Sequence, residues 1–153
     1  MKLIITVFIL SFLFNVNSET KIADTKKARM IDIELTIKNI KSSNGKLLIG
    51  VFKDHPSFEK EQPFKSVQSA KTSIVNGVLK VKTQLEPGVY GISLLDDENG
   101  NGKMDYNFIG IPKEGFGFSN YYHTAFSKPK FQSFQFEVKE TSTPKIEMVV
   151  RYM

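Results

Sequence analysis

The chain contains no cysteine. This one absence excludes disulfide bridges, thiol nucleophiles and thiolate metal sites together. It also excludes a lipid anchor attached to a cysteine behind an N-terminal apolar run. That run, Leu3 to Val16, is interrupted by Thr6, Ser11 and Asn15. It falls short of the roughly 20 residues that a membrane-spanning helix needs. A concentrated stripe of Lys and Arg with interleaved aromatics, the footprint of a nucleic-acid binder, is missing as well. The formal net charge of +5 is instead spread as Lys-x-Lys alternations, with one cluster at Lys26, Lys27 and Arg29. Such a distribution reads as solvated strand faces that resist edge-to-edge aggregation. Internal repeats and low-complexity tracts are also lacking.

What is present begins with an export signal. Met1-Lys2 is a short basic start, the apolar run follows, and Val16-Asn17-Ser18 places small or apolar residues before Glu19. The pattern predicts a secretory signal peptide over residues 1–18 and release to the periplasm or the medium. Loss of Lys2 with it lowers the net charge to +4. Residues 19–29 are polar and Lys-rich and read as a flexible mature N-terminus. Residues 30–153 are long enough for one domain with a sizeable core. Outside the cell and without disulfides, its long loops must be held by packing, hydrogen bonds or a bound ion.

From Met30 the chain reads as strand after strand. Ile31, Ile33, Leu35 and Ile37 alternate with Asp32, Glu34, Thr36 and Lys38, a period of two with one buried face. Ser42-Ser43-Asn44-Gly45 supplies a turn, and Lys46 to Phe52 is a more continuously apolar returning strand. An irregular stretch, Lys53 to Ser66, allows a short helical turn capped by Ser57. Lys65 to Ile74 and Val78 to Leu85 flank Asn76-Gly77, the strongest hairpin signal in the chain. Glu86-Pro87-Gly88 turns into Val89 to Leu95. After a long Gly- and aromatic-rich segment, Phe131 to Val138 and Lys145 to Tyr152 complete about seven strands. The fold class expected is all-β, an antiparallel Greek-key sandwich of immunoglobulin-like or transthyretin-like type, with a closed barrel as second choice.

The long segment opens with Asp97-Glu98-Asn99-Gly100-Asn101-Gly102-Lys103-Met104-Asp105. This is D-x-N-x-N-G-x-x-D, the first nine positions of an EF-hand-type calcium loop. Calcium takes six to eight oxygen ligands on a tightly turning chain. Asp97, Asn99 and Asn101 stand at positions 1, 3 and 5, Gly102 makes the turn, Lys103 offers its carbonyl and Asp105 stands at position 9. Position 12, normally a bidentate Glu, is Phe108. Asp96, Glu98 or Glu114 would complete the shell if the chain folds back. A site of so few charges is expected to bind calcium with Kd on the order of 10⁻⁴ to 10⁻³ M. The metal-free alternative is an Asn/Gly turn whose side chains bond their own backbone.

The run continues to D-E-N-G-N-G-K-M-D-x-N-F-I-G-I-P-K-E-G-F-G-F-S-N and is preceded by P-G-x-Y-x-I-S-L-L-D-D. Both resemble the signature of a bacterial exported family, domain-of-unknown-function family 2141, over roughly Ile31 to Tyr152. The resemblance implies export and a β-sandwich-like fold, and it brings no reaction with it.

Two further readings compete for the long segment. Its aromatics, Phe116, Phe118, Tyr121 and Tyr122 foremost, either present a platform to a glycan or an extracytoplasmic protein, or fold down over an open end of the sandwich. A Ser119–His123–Glu114 set invites a hydrolase, but no G-x-S-x-G elbow accompanies it. His55 and Glu59, four apart, do not make a zinc site, and H-E-x-x-H is absent. The reading adopted is a secreted, non-catalytic β-sandwich with a calcium-stabilised loop, free of nucleic acid and of any stable membrane span after signal cleavage.

Overall fold

The computed structural model describes residues 29–153. The expected signal peptide and most of the expected flexible N-terminus lie outside the described residues. Eight strands form two sheets: β1 (Ile31–Lys38), β2 (Lys46–Phe52), β3 (Lys65–Ala70), β4 (Leu79–Leu85), β5 (Gly88–Asp97), β6 (Gly115–Phe118), β7 (Gln135–Val138) and β8 (Lys145–Val149). The smaller sheet has the order β4-β1-β8. The larger has the order β3-β2-β5-β6, with β7 pairing β5 as well. The chain is a β-sandwich and not a closed barrel.

The alternation in the sequence decides which way each strand faces. Ile33, Leu35 and Ile37 of β1 meet Leu79 and Val81 of β4 and Ile146 and Met148 of β8 on the inner face of the smaller sheet. Leu47, Ile49 and Val51 of β2 and Ile92 and Leu94 of β5 face them from the larger sheet, and all belong to one core. Each such side chain contributes roughly 1.5–3 kcal/mol by leaving water. Among the described residues no helix is long and apolar enough to cross a membrane.

Several expectations need correcting. Among the described residues the strands number eight where about seven were expected, the added one being Gly115–Phe118 inside the long segment. The sandwich is antiparallel except for β1 and β8, which run parallel. The stretch Phe131 to Val138 divides into a 3₁₀ turn, Phe131–Ser133, and β7. The short helix α1 (His55–Glu59) is capped by Asp54, whose carboxylate accepts from the Ser57 amide at 2.8 Å, and not by Ser57. That bond holds the Asp54 carboxyl below its ordinary pKa. Asn76-Gly77 does form a two-residue turn, with both residues at positive φ and Val75 and Val78 exchanging hydrogen bonds. It does not join two long strands, because β3 ends at Ala70 and the chain crosses to the other sheet there.

The first residue past that end is Lys71. Its ammonium is fully buried against the Asp96 carboxylate, and Asp96 Oδ2 also accepts from the Tyr152 hydroxyl at 2.6 Å. Burial foremost, then the bond to Asp96, raises the Tyr152 hydroxyl well above its ordinary pKa.

Candidate metal loop and the outer face of the larger sheet

Register places the candidate residues. Across β2, β5 and β6, Leu48 stands opposite Leu95 and Leu95 opposite Phe116, while Lys46 stands opposite Asp97. Asp96 pairs with Gly115, so one step further along the same ladder sets Glu114 across from Asp97. Cβ atoms so placed are about 5 Å apart. Because successive side chains alternate, Asp96 points into the sandwich while Asp97 and Glu114 share the outer face.

Both outer carboxylates are buried, Asp97 completely and Glu114 to within 5%. Each has one oxygen in use: Asp97 Oδ2 accepts from the Gly102 amide at 3.0 Å, and Glu114 Oε2 from the Asp105 amide at 3.2 Å. Their other oxygens, Asp97 Oδ1 and Glu114 Oε1, have no hydrogen-bond partner among the described residues. The Lys46 ammonium lies 4.0 Å from Asp97 Oδ2 and is partly in solvent.

The turn Ser42–Gly45 closes over the start of this loop. Gly45 sits at φ +71°, and a Cβ there would lie 1.9 Å from the Asp97 carbonyl oxygen, so only glycine fits. Within the loop, the Asn101 amide nitrogen donates to Asn99 Oδ1 and the Lys103 amide to Asn101 Oδ1, each at 2.9 Å. The side-chain NH₂ groups of Asn99 and Asn101 donate to Asp105 Oδ2 at 2.6 and 2.8 Å. The five expected metal residues, Asp97, Asn99, Asn101, Lys103 and Asp105, are thus gathered on one turn. The two amides present N–H to Asp105 where a cation would need C=O. Among the described residues, no group of three or more His, Asp or Glu side chains is placed to hold a metal ion as it stands.

Glu114 is one of the three acidic residues that the sequence offers for completing the shell. Phe108, at position 12 of the template, is 98% exposed at the tip of the loop. Lys113 donates its amide to the Asp105 carbonyl at 2.8 Å, and this contact returns the chain to the head of the loop with Glu114 next in line. Of the three acidic candidates, Asp96 is committed to Lys71, Glu98 is only half-buried, and Glu114 stands beside Asp97.

The family described as "Uncharacterized protein conserved in bacteria (DUF2141)" matches residues 35–146. The chain belongs to that family. The matched range runs from the middle of β1 to the start of β8 and takes in the entire long loop. No curated protein and no solved structure matches the chain.

The family 2141 domain carries a second apolar cluster on this same outer face. Phe52, Phe58, Phe118, Phe131 and Phe134 are all buried there, with Phe116 and Tyr121 packed against them. The Phe58 and Phe134 rings meet edge to face with centroids 4.8 Å apart, a geometry worth about 1 kcal/mol beyond burial. Of the expected aromatic platform, Phe118 is therefore interior, Phe116 and Tyr121 are partly covered, and Tyr122 is exposed. Phe116, Phe118 and Tyr121 fold down on the sheet itself rather than over an open end of the sandwich.

Ser119 lies where β6 and β7 share the edge of β5 opposite β2. Its amide donates to the Ile92 carbonyl, its hydroxyl accepts from the Ile92 amide at 3.0 Å, and that hydroxyl donates to the Phe134 carbonyl. His123 turns its Nε2 to the Ser127 carbonyl. Ser119, His123 and Glu114 each have their hydrogen bonds with other groups. His55 and Glu59 do share one face of α1, 3.9 Å apart and half-exposed.

Proposed function

We propose that this family 2141 protein is an exported, non-catalytic β-sandwich module whose long loop is fixed by a calcium ion. In this reading the fixed loop presents its exposed tip to an extracytoplasmic protein or glycan. One observation carries the cation: two buried carboxylate oxygens, Asp97 Oδ1 and Glu114 Oε1, face the same side of adjacent strands with no hydrogen-bond partner among the described residues. Two such charges without a cation cost several kcal/mol. A hard divalent ion removes that cost, and an all-oxygen donor set in a flexible turn suits calcium. Asp97, Asp105 and Glu114 would hold it, Lys103 through its carbonyl, and Asn99 and Asn101 once each amide turns over to bring C=O inward. Glu114 then supplies the carboxylate that Phe108 cannot.

Export is read from the basic start, the apolar run and the small residues of the first eighteen positions. The non-catalytic reading is supported by the separate hydrogen-bond commitments of Ser119, His123 and Glu114. The metal-free turn is favoured by a different observation, the closed set of bonds from Asn99 and Asn101 to the loop backbone and to Asp105.

Calorimetric titration with calcium separates the two. The expected Kd is on the order of 10⁻⁴ to 10⁻³ M, lost in Asp97→Ala, Asp105→Ala and Glu114→Gln alike. Absence of heat in the parent chain, or unchanged binding in the Glu114 variant, would overturn the assignment.

A further inference from the structure

A lysine side chain is seldom fully buried. Lys71 is the one lysine buried among the described residues, and the carboxyl of Asp96 against which it lies is fully buried too. The two groups are in direct contact, yet neither Lys71 Nζ nor Asp96 Oδ1 has a hydrogen-bond partner among the described residues. An amine nitrogen and a carboxyl group thus meet out of water and outside hydrogen-bond alignment.

A third group is fixed on the same carboxyl. The Tyr152 hydroxyl donates to Asp96 Oδ2 at 2.6 Å, and its oxygen accepts from the Lys41 amide at 3.1 Å. The Tyr152 ring packs over Gly115, the partner of Asp96 on β6, where a Cβ would come within 2.5 Å of it. Burial first, then the bond to Asp96, keeps the hydroxyl protonated at neutral pH. Nucleophile, carboxyl and donor are therefore held together before any reaction begins. Well-oriented pairs of this kind react as if the partner were present at on the order of 10⁵ to 10⁸ M.

We propose that Lys71 and Asp96 join in an intramolecular amide (isopeptide) bond, a covalent tie between the crossover after β3 and the end of β5. The ion pair is the state before this reaction. The Lys71 ammonium passes one proton to Oδ1, and the freed lone pair of Nζ attacks Cγ. The negative charge that develops on Oδ2 is met by the Tyr152 hydroxyl. A second Nζ proton then moves to the Oδ1 hydroxyl, which leaves as water while Oδ2 returns to a carbonyl. One C–N bond replaces one C–O bond, Nζ keeps one hydrogen, and neither oxidant nor cofactor is consumed. The bond gives a cysteine-free chain the loop-closing constraint that a disulfide supplies elsewhere. It involves no metal and does not rest on the calcium reading.

The test is mass spectrometry of the full purified chain under denaturing conditions, followed by its tryptic digest. The mass should lie one water below that required by the sequence from the N-terminus found. Trypsin should leave Lys71 uncut and release residues 66–80 joined to residues 83–103. Lys71→Arg should restore the full mass. In Tyr152→Phe the linked form should accumulate roughly 100-fold more slowly after synthesis. A parent chain of full mass with Lys71 cleaved would overturn the inference, and it does so whether or not the variants fold. Loss of water with the two peptides still separate would overturn it as well, and equal rates in Tyr152→Phe would overturn the part given to Tyr152.

Discussion

Asp96 and Asp97 are consecutive residues, both fully buried, on opposite faces of β5. Asp96, facing inward, is matched on both oxygens, by the Lys71 ammonium and by the Tyr152 hydroxyl. Asp97, facing outward, has one oxygen on the Gly102 amide and the other without a hydrogen-bond partner among the described residues, with Glu114 alongside in the same condition. The difference separates two uses of a buried charge. The inner one is a closed ion pair that ties the crossover after β3 to the end of β5. The outer pair is left incomplete among the described residues, and in the proposed reading a calcium ion completes it.

The largest expected effect comes from opening the inner pair. Lys71→Met leaves Asp96 as an uncompensated buried charge and should cost about 3–5 kcal/mol by chemical denaturation. Adding Asp96→Leu should recover more than half, because a well-packed apolar pair replaces an ion pair at little cost. A single-variant loss under about 1 kcal/mol would erase the contrast between the two faces.

Next in size is a change of sign at the outer pair. Glu114→Gln removes one of two adjacent buried charges, so with calcium chelated it should raise stability by roughly 1 kcal/mol. With calcium at 10 mM it should instead be the less stable protein, since the gain from binding is gone. Denaturation curves in the two buffers check this, and the same ranking in both would remove the cation from the account.

Tyr152→Phe sharpens the inner half. Loss of the donor to a buried carboxylate should cost about 1–2 kcal/mol near neutral pH. Burial first, then the bond to Asp96, raises the Tyr152 hydroxyl above its usual value. The stability tied to its proton is therefore fully present below about pH 10, the ordinary tyrosine value, and declines as pH rises beyond it. The parent chain should lose stability above about pH 10 more steeply than the Phe variant. Parallel losses would show that another group governs the alkaline limb.

The smallest effect belongs to Lys103→Ala, whose side chain is exposed and whose proposed role is its carbonyl alone. It should change stability by less than about 0.5 kcal/mol and keep the calcium-induced rise in Tm. A loss equal to that of Asp97→Ala would sink the ligand assignment.

Much of the sandwich was legible because its inner face obeys a single rule. Apolar residues at every second position fix the strand and its orientation, and β1 and β4 show that pattern without interruption. β6 was not legible because Gly115 and Gly117 supply no pattern and have low strand propensity. Their absent side chains make room for Val150, Tyr152 and the Val149 backbone, and those contacts arise only after folding. Lys71 and Phe58 show the same limit. Nothing local marks Lys71 as buried, since its partner Asp96 lies on another strand, and Phe58 finds its aromatic partners through distant contacts.

The candidate site divides along the same line. Positions 1 to 9 of the loop were readable because they are contiguous, and Asp97 to Asp105 do fold as one turn. Choosing Glu114 over Asp96 and Glu98 needed the register between β5 and β6, which the sequence does not contain. The groove over the outer face of the larger sheet, bordered by β2, β3, β5, β6 and both ends of the long loop, was invisible for the same reason.

Thermal unfolding of the purified chain, first with excess EDTA and then with 10 mM calcium, tests the central contrast most directly. With Kd on the order of 10⁻⁴ to 10⁻³ M, mass action stabilises the folded state by about 1.4–2.7 kcal/mol, a rise in Tm of roughly 5–10 °C. That rise, absent with magnesium at equal concentration and absent in Asp97→Ala, is the predicted result. An identical Tm in EDTA and calcium would contradict the account and leave Asp97 and Glu114 as buried charges in an Asn/Gly turn.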